Sequence, residues 1–79
     1  MEFRHAVAQR LKELCNQQKL SAYDLSNRST VSRTAITDLL NAKYQRPNGG
    51  RILELCIALK ISVFDFYNTP YFKKKDIDI

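Results

Sequence analysis

The sequence predicts an all-α protein, a compact five-helix bundle, and three observations support this fold class. Apolar residues recur at the three- and four-residue spacing of amphipathic helices. A serine stands before three of the helical segments, where N-cap residues are preferred. The chain has 79 residues, of which 44% are hydrophobic, and this is enough for one small domain with a core. We assign a helical domain to residues 1–68 and an aromatic and basic tail to residues 69–79.

The hydrophobic periodicity places the helices at Phe3–Gln18, Ala22–Arg28, Arg33–Leu40, Gly50–Leu59 and Val63–Tyr67. The predicted buried face of the first helix consists of Phe3, Val7, Leu11, Leu14 and Cys15. That of the third helix consists of Ala35, Ile36, Leu39 and Leu40. That of the fourth helix consists of Ile52, Leu55, Cys56 and Leu59, widened by Leu53 and Ile57. In the second helix we expect Leu25 in the core and Tyr23 at the surface. The fifth helix is expected to close the core with Val63, Phe64 and Phe66.

The charge balance favours a polyanionic partner. Thirteen Lys and Arg stand against eight Asp and Glu, for a net charge of +5, which is an argument about partners and not about fold. No run approaches the roughly 20 apolar residues that span a bilayer. The N-terminus is charged where a signal peptide would be apolar. We therefore expect a cytoplasmic protein.

The cysteine and histidine content favours neither a metal site nor a cofactor. Cys15 and Cys56 lie in apolar helical patterns, so they are expected to be small buried hydrophobes in a reducing compartment, with a disulfide as the alternative. His5 has no neighbouring ligand set. No carboxylate pair, nucleophile with a His partner or phosphate-binding glycine loop is found, so we do not predict an enzyme.

The stretch from Leu20 to Lys43 reads as two short helices joined by a tight turn. Ser21 and Asp24 have the spacing of a capping box at the start of the first, and Ser32 is the N-cap of the second. The positions of the second that point away from its apolar stripe are Arg33, Thr34, Thr37, Asp38 and Asn41. A short helix with one buried face and one polar face, supported by another short helix, can lie in the major groove of DNA.

A loop follows, because one proline, two glycines and two asparagines fall between positions 41 and 51. It carries Lys43, Arg46 and Arg51. Such a cluster is often merely solvated, but its place beside the polar helix favours contacts with phosphates, and Arg28 is a further candidate.

Four short motifs in order resemble the lambda-repressor-like, Cro-type (Xre-like) helix-turn-helix family of phage and bacterial regulators. They are Leu20-Ser21 opening the second helix, Val31-Ser32-Arg33 opening the third, Asn41-Ala42-Lys43 followed by Arg46-Pro47, and the segment Leu59–Phe66. Each motif alone is weak, whereas four at the right spacing are specific. The resemblance covers about Val7 to Tyr67.

The resemblance implies a five-helix bundle that binds double-stranded DNA, usually as a dimer on an inverted repeat. At the family's base-reading positions this chain has Arg33, Thr34 and Asp38, with Ser32 and Thr37 beside them. At its phosphate-contacting positions it has Ala22, Asn41, Lys43, Gln45, Arg46 and Asn48.

Three departures from the family pattern matter. The frequent Gln at the start of the second helix is Ala22, which leaves backbone N–H groups and the helix dipole to meet a phosphate. The turn glycine is Thr30, so the turn is either strained there or different in shape. A frequent Arg–Glu ion pair is replaced by Cys15 and Leu40, and losing both partners together is harmless to the fold.

Some side chains keep two interpretations. Arg33 suits the O6 and N7 edge of guanine, whereas Asp38 must accept from cytosine N4 or pair with Arg33 or Lys43. Tyr67, Tyr71 and Phe72 either pack on the last two helices or form a homodimer contact. The run Lys73–Lys75 is expected to be a mobile tail.

The sequence therefore predicts a DNA-binding transcriptional regulator, a repressor of phage, mobile-element or bacterial genes. The alternative is an antitoxin or a regulator subunit whose main role is to bind a protein partner. No small-molecule ligand is predicted in either case.

Overall fold

In the computed structural model, residues 2–72 are described, and within them the chain is a bundle of five α-helices followed by a short 3-10 turn. The helices are α1 (Phe3–Gln18), α2 (Ala22–Arg28), α3 (Arg33–Leu40), α4 (Gly49–Leu59) and α5 (Val63–Tyr67), and the 3-10 turn is Pro70–Phe72. The predicted all-α fold is confirmed. Four helices have the predicted bounds, and α4 begins one residue earlier than predicted because Asn48 caps it.

Serine side chains fix where three helices begin. Ser21, Ser32 and Ser62 each accept a hydrogen bond at the hydroxyl oxygen from the backbone N–H three residues on. At α2 the carboxylate of Asp24 also accepts from the N–H of Ser21 at 3.0 Å, which completes the predicted capping box. These bonds satisfy N–H groups that a helix start leaves without partners.

Left-handed residues fix where three helices end. Lys19, Ala42 and Lys60 have φ of 57°, 55° and 60° and follow α1, α3 and α4. After α1 and α4 the next N–H bonds back to the carbonyl of Cys15 or Cys56, at 2.9 and 3.0 Å. This geometry turns the chain sharply without glycine, at a cost of about 1–2 kcal/mol per left-handed residue.

The core is built from apolar side chains of all five helices, and within residues 2–72 no polar or charged residue is buried. Leu11, Leu25, Ile36 and Leu55 are at most 1% exposed, and Phe66 closes the core from α5. Leu40 is only partly buried and packs on this core. The core therefore forms without any buried ion pair.

Both cysteines are buried and unpaired, so the prediction of free thiols is confirmed. Burial raises the pKa of the Cys15 and Cys56 thiols, which keeps them protonated and apolar. Cys15 thus brings no charge inside the protein at a position where the family that the sequence resembles often has an arginine.

The predicted apolar faces of α4 and α5 are too wide. Leu53, Ile57, Val63 and Phe64 were expected in the core, but they are 47%, 62%, 39% and 73% exposed. The reason is geometric: α4 already buries Ile52, Leu55, Cys56 and Leu59. Leu53 and Ile57 share one outward face because they are four residues apart. In α5 only Phe66 is fully buried.

An aromatic cluster joins the two ends of the described chain. Phe72 contacts Tyr67 at 4.8 Å between ring centroids, and Phe3 of α1 lies 6.1 Å from Phe72. Tyr71 donates a hydrogen bond to Glu13 at 2.9 Å. The first residues of the predicted tail therefore pack on α1. The rest of that tail, including the lysine run predicted to be mobile, lies outside the described residues.

Arg10 ties α1 to the end of α5. Its Nε donates to the carbonyl of Phe66 at 2.9 Å and its Nη2 donates to that of Asp65 at 2.7 Å, while Nη1 pairs with Glu13. Carbonyls near a helix C-terminus lack intrahelical partners, so one guanidinium satisfies two of them.

Among residues 2–72, no helix has the length and hydropathy that crossing a membrane requires.

Candidate nucleic-acid interface

Helices α2 and α3 pack against each other as the predicted helix-turn-helix unit. Leu25 of α2 and Ile36 of α3 are completely buried, and Val31 in the turn is 7% exposed. These three side chains fix how each helix is rotated about its axis. The opposite faces of both helices are therefore held towards solvent.

The turn between them is held by Glu54 of α4, a side chain that the sequence did not single out. Thr30 donates a hydrogen bond from Oγ1 to Glu54 of α4 at 3.1 Å. Within residues 2–72, positive φ at non-glycine positions is confined to Lys19, Ala42 and Lys60. Thr30 is thus not left-handed, so the turn differs in shape from one with glycine and carries no strain there.

The solvent face of α3 presents the predicted base-reading residues. Ser32, Arg33, Thr34 and Thr37 are exposed, and Asp38 is half-buried. The guanidinium carbon of Arg33 lies 5.8 Å from the ring centroid of Tyr23 on α2. This is within the range of a cation–π interaction. Tyr23 is 55% exposed, as predicted.

Asp38 pairs with Lys43, one of the partners predicted for it. The Lys43 Nζ lies 3.7 Å from Oδ1 of Asp38, and the backbone N–H of Lys43 donates to the carbonyl of Asp38 at 2.9 Å. The Lys43 side chain is 67% exposed, so the pair contributes at most about 1 kcal/mol. The lysine is therefore free to exchange this partner for another anion.

The loop after α3 and the start of α4 carry the remaining candidates. Asn41, Gln45 and Arg46 are exposed. Asn48 is also exposed, and its Oδ1 accepts from the N–H groups of Gly50 and Arg51 at 2.7 and 3.2 Å. Its amide nitrogen is the group left for another contact.

Arg51 stands over a second aromatic ring. Its guanidinium carbon lies 5.2 Å from the ring centroid of Tyr44. A groove brings the start of α3 and the start of α4 together, and it is lined by Thr30, Val31, Ser32, Ala35, Asn48, Gly50, Arg51 and Glu54. The structure thus places three predicted contacts, Ser32, Asn48 and Arg51, around one depression.

The N-terminus of α2 is occupied by its own cap. The N–H of Asp24 is bonded to Ser21, and the carboxylate of Asp24 lies in the first turn. The hydrogen bond from the Ser21 N–H, with smaller contributions from the Ser21 hydroxyl and Arg28, lowers the pKa of Asp24. Ala22 is half-buried on the core. The carboxylate of Asp24 therefore partly neutralises the positive end of the helix dipole beside Ala22.

The candidate surface is predominantly basic. It comprises the outer faces of α2 and α3, residues 41–48 and the first turns of α4. Arg28, Arg33, Arg46 and Arg51 have no ion-pair partner within residues 2–72. Lys43 adds a fifth cation against the carboxylates of Asp24, Asp38 and Glu54. No group of three metal-ligating side chains occurs in the described part of the chain.

Tyr67, Tyr71 and Phe72 lie in a different part of the molecule, against α1 and α5, and each is half-buried.

The sequence does not predict the contacts of Tyr23, Tyr44 and Glu54 with the candidate surface. Their residue types and spacing are ordinary for surface positions, so they give no signal in the sequence. Their partners are distant in the sequence or lie across a turn.

A family model, the Cro/C1-type HTH DNA-binding domain, matches residues 10–70 of the chain. The chain belongs to this family. The resemblance inferred from the four motifs is thus confirmed. The helix-turn-helix of this Cro/C1-type domain is α2 and α3, so the predicted recognition helix is the one that carries Arg33.

A solved structure agrees with this assignment. The fold is similar to that in the crystal structure of the prophage Lp1 protein 11, with a TM-score of 0.80 and 25% sequence identity. The match covers 94% of this chain and 99% of that chain. No curated protein matches the chain. The Cro/C1-type domain therefore shares its architecture with a prophage protein across nearly its whole length.

Proposed function

We propose that the protein is a cytoplasmic, sequence-specific transcriptional regulator that binds operator DNA as a dimer and represses phage, mobile-element or bacterial genes. The observation that carries this proposal is the exposed polar face of α3, held outward by Leu25, Ile36 and Leu39 within a Cro/C1-type HTH domain. The likeness to a prophage protein supports the proposed class of target genes.

In this proposal α3 lies in the major groove and reads bases with Ser32, Arg33, Thr34, Thr37 and Asp38. Arg33 is the main reader, because a guanidinium can donate two parallel hydrogen bonds to guanine. No carboxylate of residues 2–72 engages the N–H edge of the Arg33 guanidinium, which supports this role. Asp38 accepts from a cytosine N4, and Lys43 exchanges Asp38 for a phosphate.

The phosphate contacts are assigned to the surrounding loops and helix ends. The proposed residues are Ala22, Arg28, Asn41, Lys43, Gln45, Arg46, Asn48 and Arg51. Contacts of this kind set the register of a protein on the duplex, whereas base contacts specify the sequence. Arg46 is an exposed cation on the same loop as Lys43, and Arg51 is an exposed cation in the first turn of α4, where it lines the groove.

Two copies would place their recognition helices about 34 Å apart, one turn of DNA. For the dimer contact we propose Tyr67, Tyr71 and Phe72 at the junction of residues 1–68 with the tail. The aromatic cluster holds Tyr67 and Phe72 in place with part of each ring exposed. Aromatic residues are enriched at protein interfaces.

A protein-binding role, as an antitoxin or regulator subunit, is the second candidate. It is favoured by the exposure of Ile57 and Phe64, at 62% and 73%, because exposed apolar groups can mark partner surfaces. The proposed function does not involve catalysis or a cofactor in either case.

The deciding experiment is selection of bound sites from a random duplex library at a salt concentration near physiological. We expect an inverted repeat with half-sites about one helical turn apart. The affinity for the recovered site should fall as salt rises, with a slope of about 0.9 per phosphate neutralised. Failure to enrich any motif, together with a flat salt dependence, would favour the protein-binding role.

A further inference from the structure

We infer that Tyr23 is a positioning residue for base recognition: its ring holds the guanidinium of Arg33 ready to meet guanine. The inference rests on the proposed function, in which Arg33 reads a base. It adds a specificity-determining residue on α2, outside the recognition helix. The carrying observation is the 5.8 Å separation between the Arg33 guanidinium carbon and the Tyr23 ring centroid.

Both backbones in this pair are fixed. Tyr23 is the second residue of α2, whose start is held by the Ser21–Asp24 capping box and whose rotation is set by the fully buried Leu25. Arg33 is the first residue of α3, where Ser32 is the N-cap. The ring and the guanidinium therefore face each other across the helix-turn-helix because the packing of α2 on α3 brings them there.

The chemistry of the contact leaves the recognition groups of Arg33 free. A cation–π contact uses the flat face of the guanidinium, whereas hydrogen bonds to guanine use the N–H groups at its edge. A carboxylate partner would occupy that edge. Within residues 2–72 Arg33 has none, because Asp38, the acidic residue of α3, pairs with Lys43.

Stacking on the ring reduces the number of positions that a long, flexible side chain can take before DNA arrives. A side chain ordered in advance loses less conformational entropy on binding. The benefit is confined to DNA in which Arg33 finds its guanine, because stacking adds nothing where its edge meets no acceptor. Tyr23 thereby raises specificity as well as affinity.

The test is a double-mutant cycle on the selected operator and on the same duplex with the Arg33 guanine replaced. We expect Tyr23→Leu to weaken binding to the operator by about two- to fivefold, the range of an exposed cation–π contact. Arg33→Ala should weaken it by about five- to 150-fold. Tyr23→Leu should have no further effect in the Arg33→Ala protein, or on the replaced duplex.

Tyr23→Phe is the matched control, because it keeps the ring and loses the hydroxyl. We expect it to bind as the parent does. Equal losses for Tyr23→Phe and Tyr23→Leu would mean that the hydroxyl contacts DNA directly and would overturn the inference. A loss from Tyr23→Leu that persists in the Arg33→Ala protein would overturn it as well.

Failure of the proposed function can be distinguished from failure of the inference about Tyr23. If the parent protein selects no site, or Arg33→Ala weakens cognate and random duplexes equally, base reading by Arg33 fails before Tyr23 is considered. The free protein supplies a second readout: the ring of Tyr23 should shift the NMR signals of the Arg33 side chain. Those signals should move in Tyr23→Leu and stay in Tyr23→Phe.

Discussion

Lys43 and Asp38 form an ion pair at the end of α3, with 3.7 Å between Nζ and Oδ1. The carboxylate is the more enclosed partner, at 24% side-chain exposure against 67% for the lysine. An acidic group thus stands on the proposed DNA-facing helix together with the cation that neutralises it. Because Lys43 neutralises its charge, Asp38 can lie near phosphates. Lys43 stays paired with Asp38 until another anion competes for it.

We expect Asp38→Asn to strengthen binding to random duplex DNA by about two- to fivefold. The substitution removes a repelling charge and frees Lys43, and exposed pairs of this kind contribute up to about 1 kcal/mol. Affinity is measured by titration at fixed salt. Asp65→Asn on α5 makes the same charge change away from the candidate surface and is the control. Because Asp38 is also a proposed base contact, binding to the selected operator should gain less than binding to random DNA, or should weaken. Random-duplex binding that Asp38→Asn leaves unchanged would contradict the repulsion by this carboxylate.

Lys43→Ala should weaken binding to all duplexes by a similar factor and reduce the slope of log K against log salt by about 0.9. The lysine would neutralise one phosphate, and each neutralised phosphate contributes about that much. The slope is obtained from binding curves at several salt concentrations. Lys12→Ala, an exposed lysine of α1, serves as the control. A slope that Lys43→Ala leaves unchanged would remove this residue from the phosphate contacts.

Phe66→Ala should lower the free energy of unfolding by about 3–5 kcal/mol, because it leaves a cavity under α5. Phe66 is 1% exposed, whereas its neighbour Phe64, two residues earlier, is 73% exposed. Phe64→Ala should therefore change stability by no more than about 0.5 kcal/mol. Urea denaturation of the two variants provides the comparison. Equal losses would contradict the burial pattern of α5.

Asp24→Asn should make stability less dependent on pH on the acid side. The pKa of Asp24 is lowered in the folded protein, first by the hydrogen bond from the Ser21 N–H. Its ionised form therefore adds stability above the pKa of the unfolded chain, and this stability is lost as pH falls through the folded-state pKa. Thermal unfolding from neutral pH downward should show parent and variant converging in acid. A constant difference between them would contradict this origin.

The helices could be predicted from the sequence because their signals are local. Ser21, Ser32 and Ser62 mark the starts, and the helical spacing of apolar residues marks the extents. The local signals predict the start of α4 one residue late, because Asn48 lies among loop-forming residues and yet is the N-cap. The position of α3, and hence the face that carries Arg33, followed from these same local signals.

What the sequence could not predict depends on contacts between distant residues. The width of a buried stripe is set by the neighbouring helices, so Leu53 and Phe64 were placed in a core that had no room for them. Glu54 holds Thr30 across 24 positions, and Tyr23 meets Arg33 across the turn. Neither contact has a signature in residue type or spacing, because each depends on how α2 lies relative to α3 and α4.

The core of residues 2–72 contains no buried charge. The stability of the fold and the affinity for DNA can therefore respond differently to salt. Cys15 and Leu40 stand where relatives often place an ion pair, and both contribute through apolar contact. Mobile ions screen exposed charges far more than they affect apolar packing. Ionic strength can therefore act on the affinity for DNA while the scaffold that presents α3 keeps its shape. In the proposed function, changes in salt concentration would adjust the occupancy of the operator without unfolding the protein.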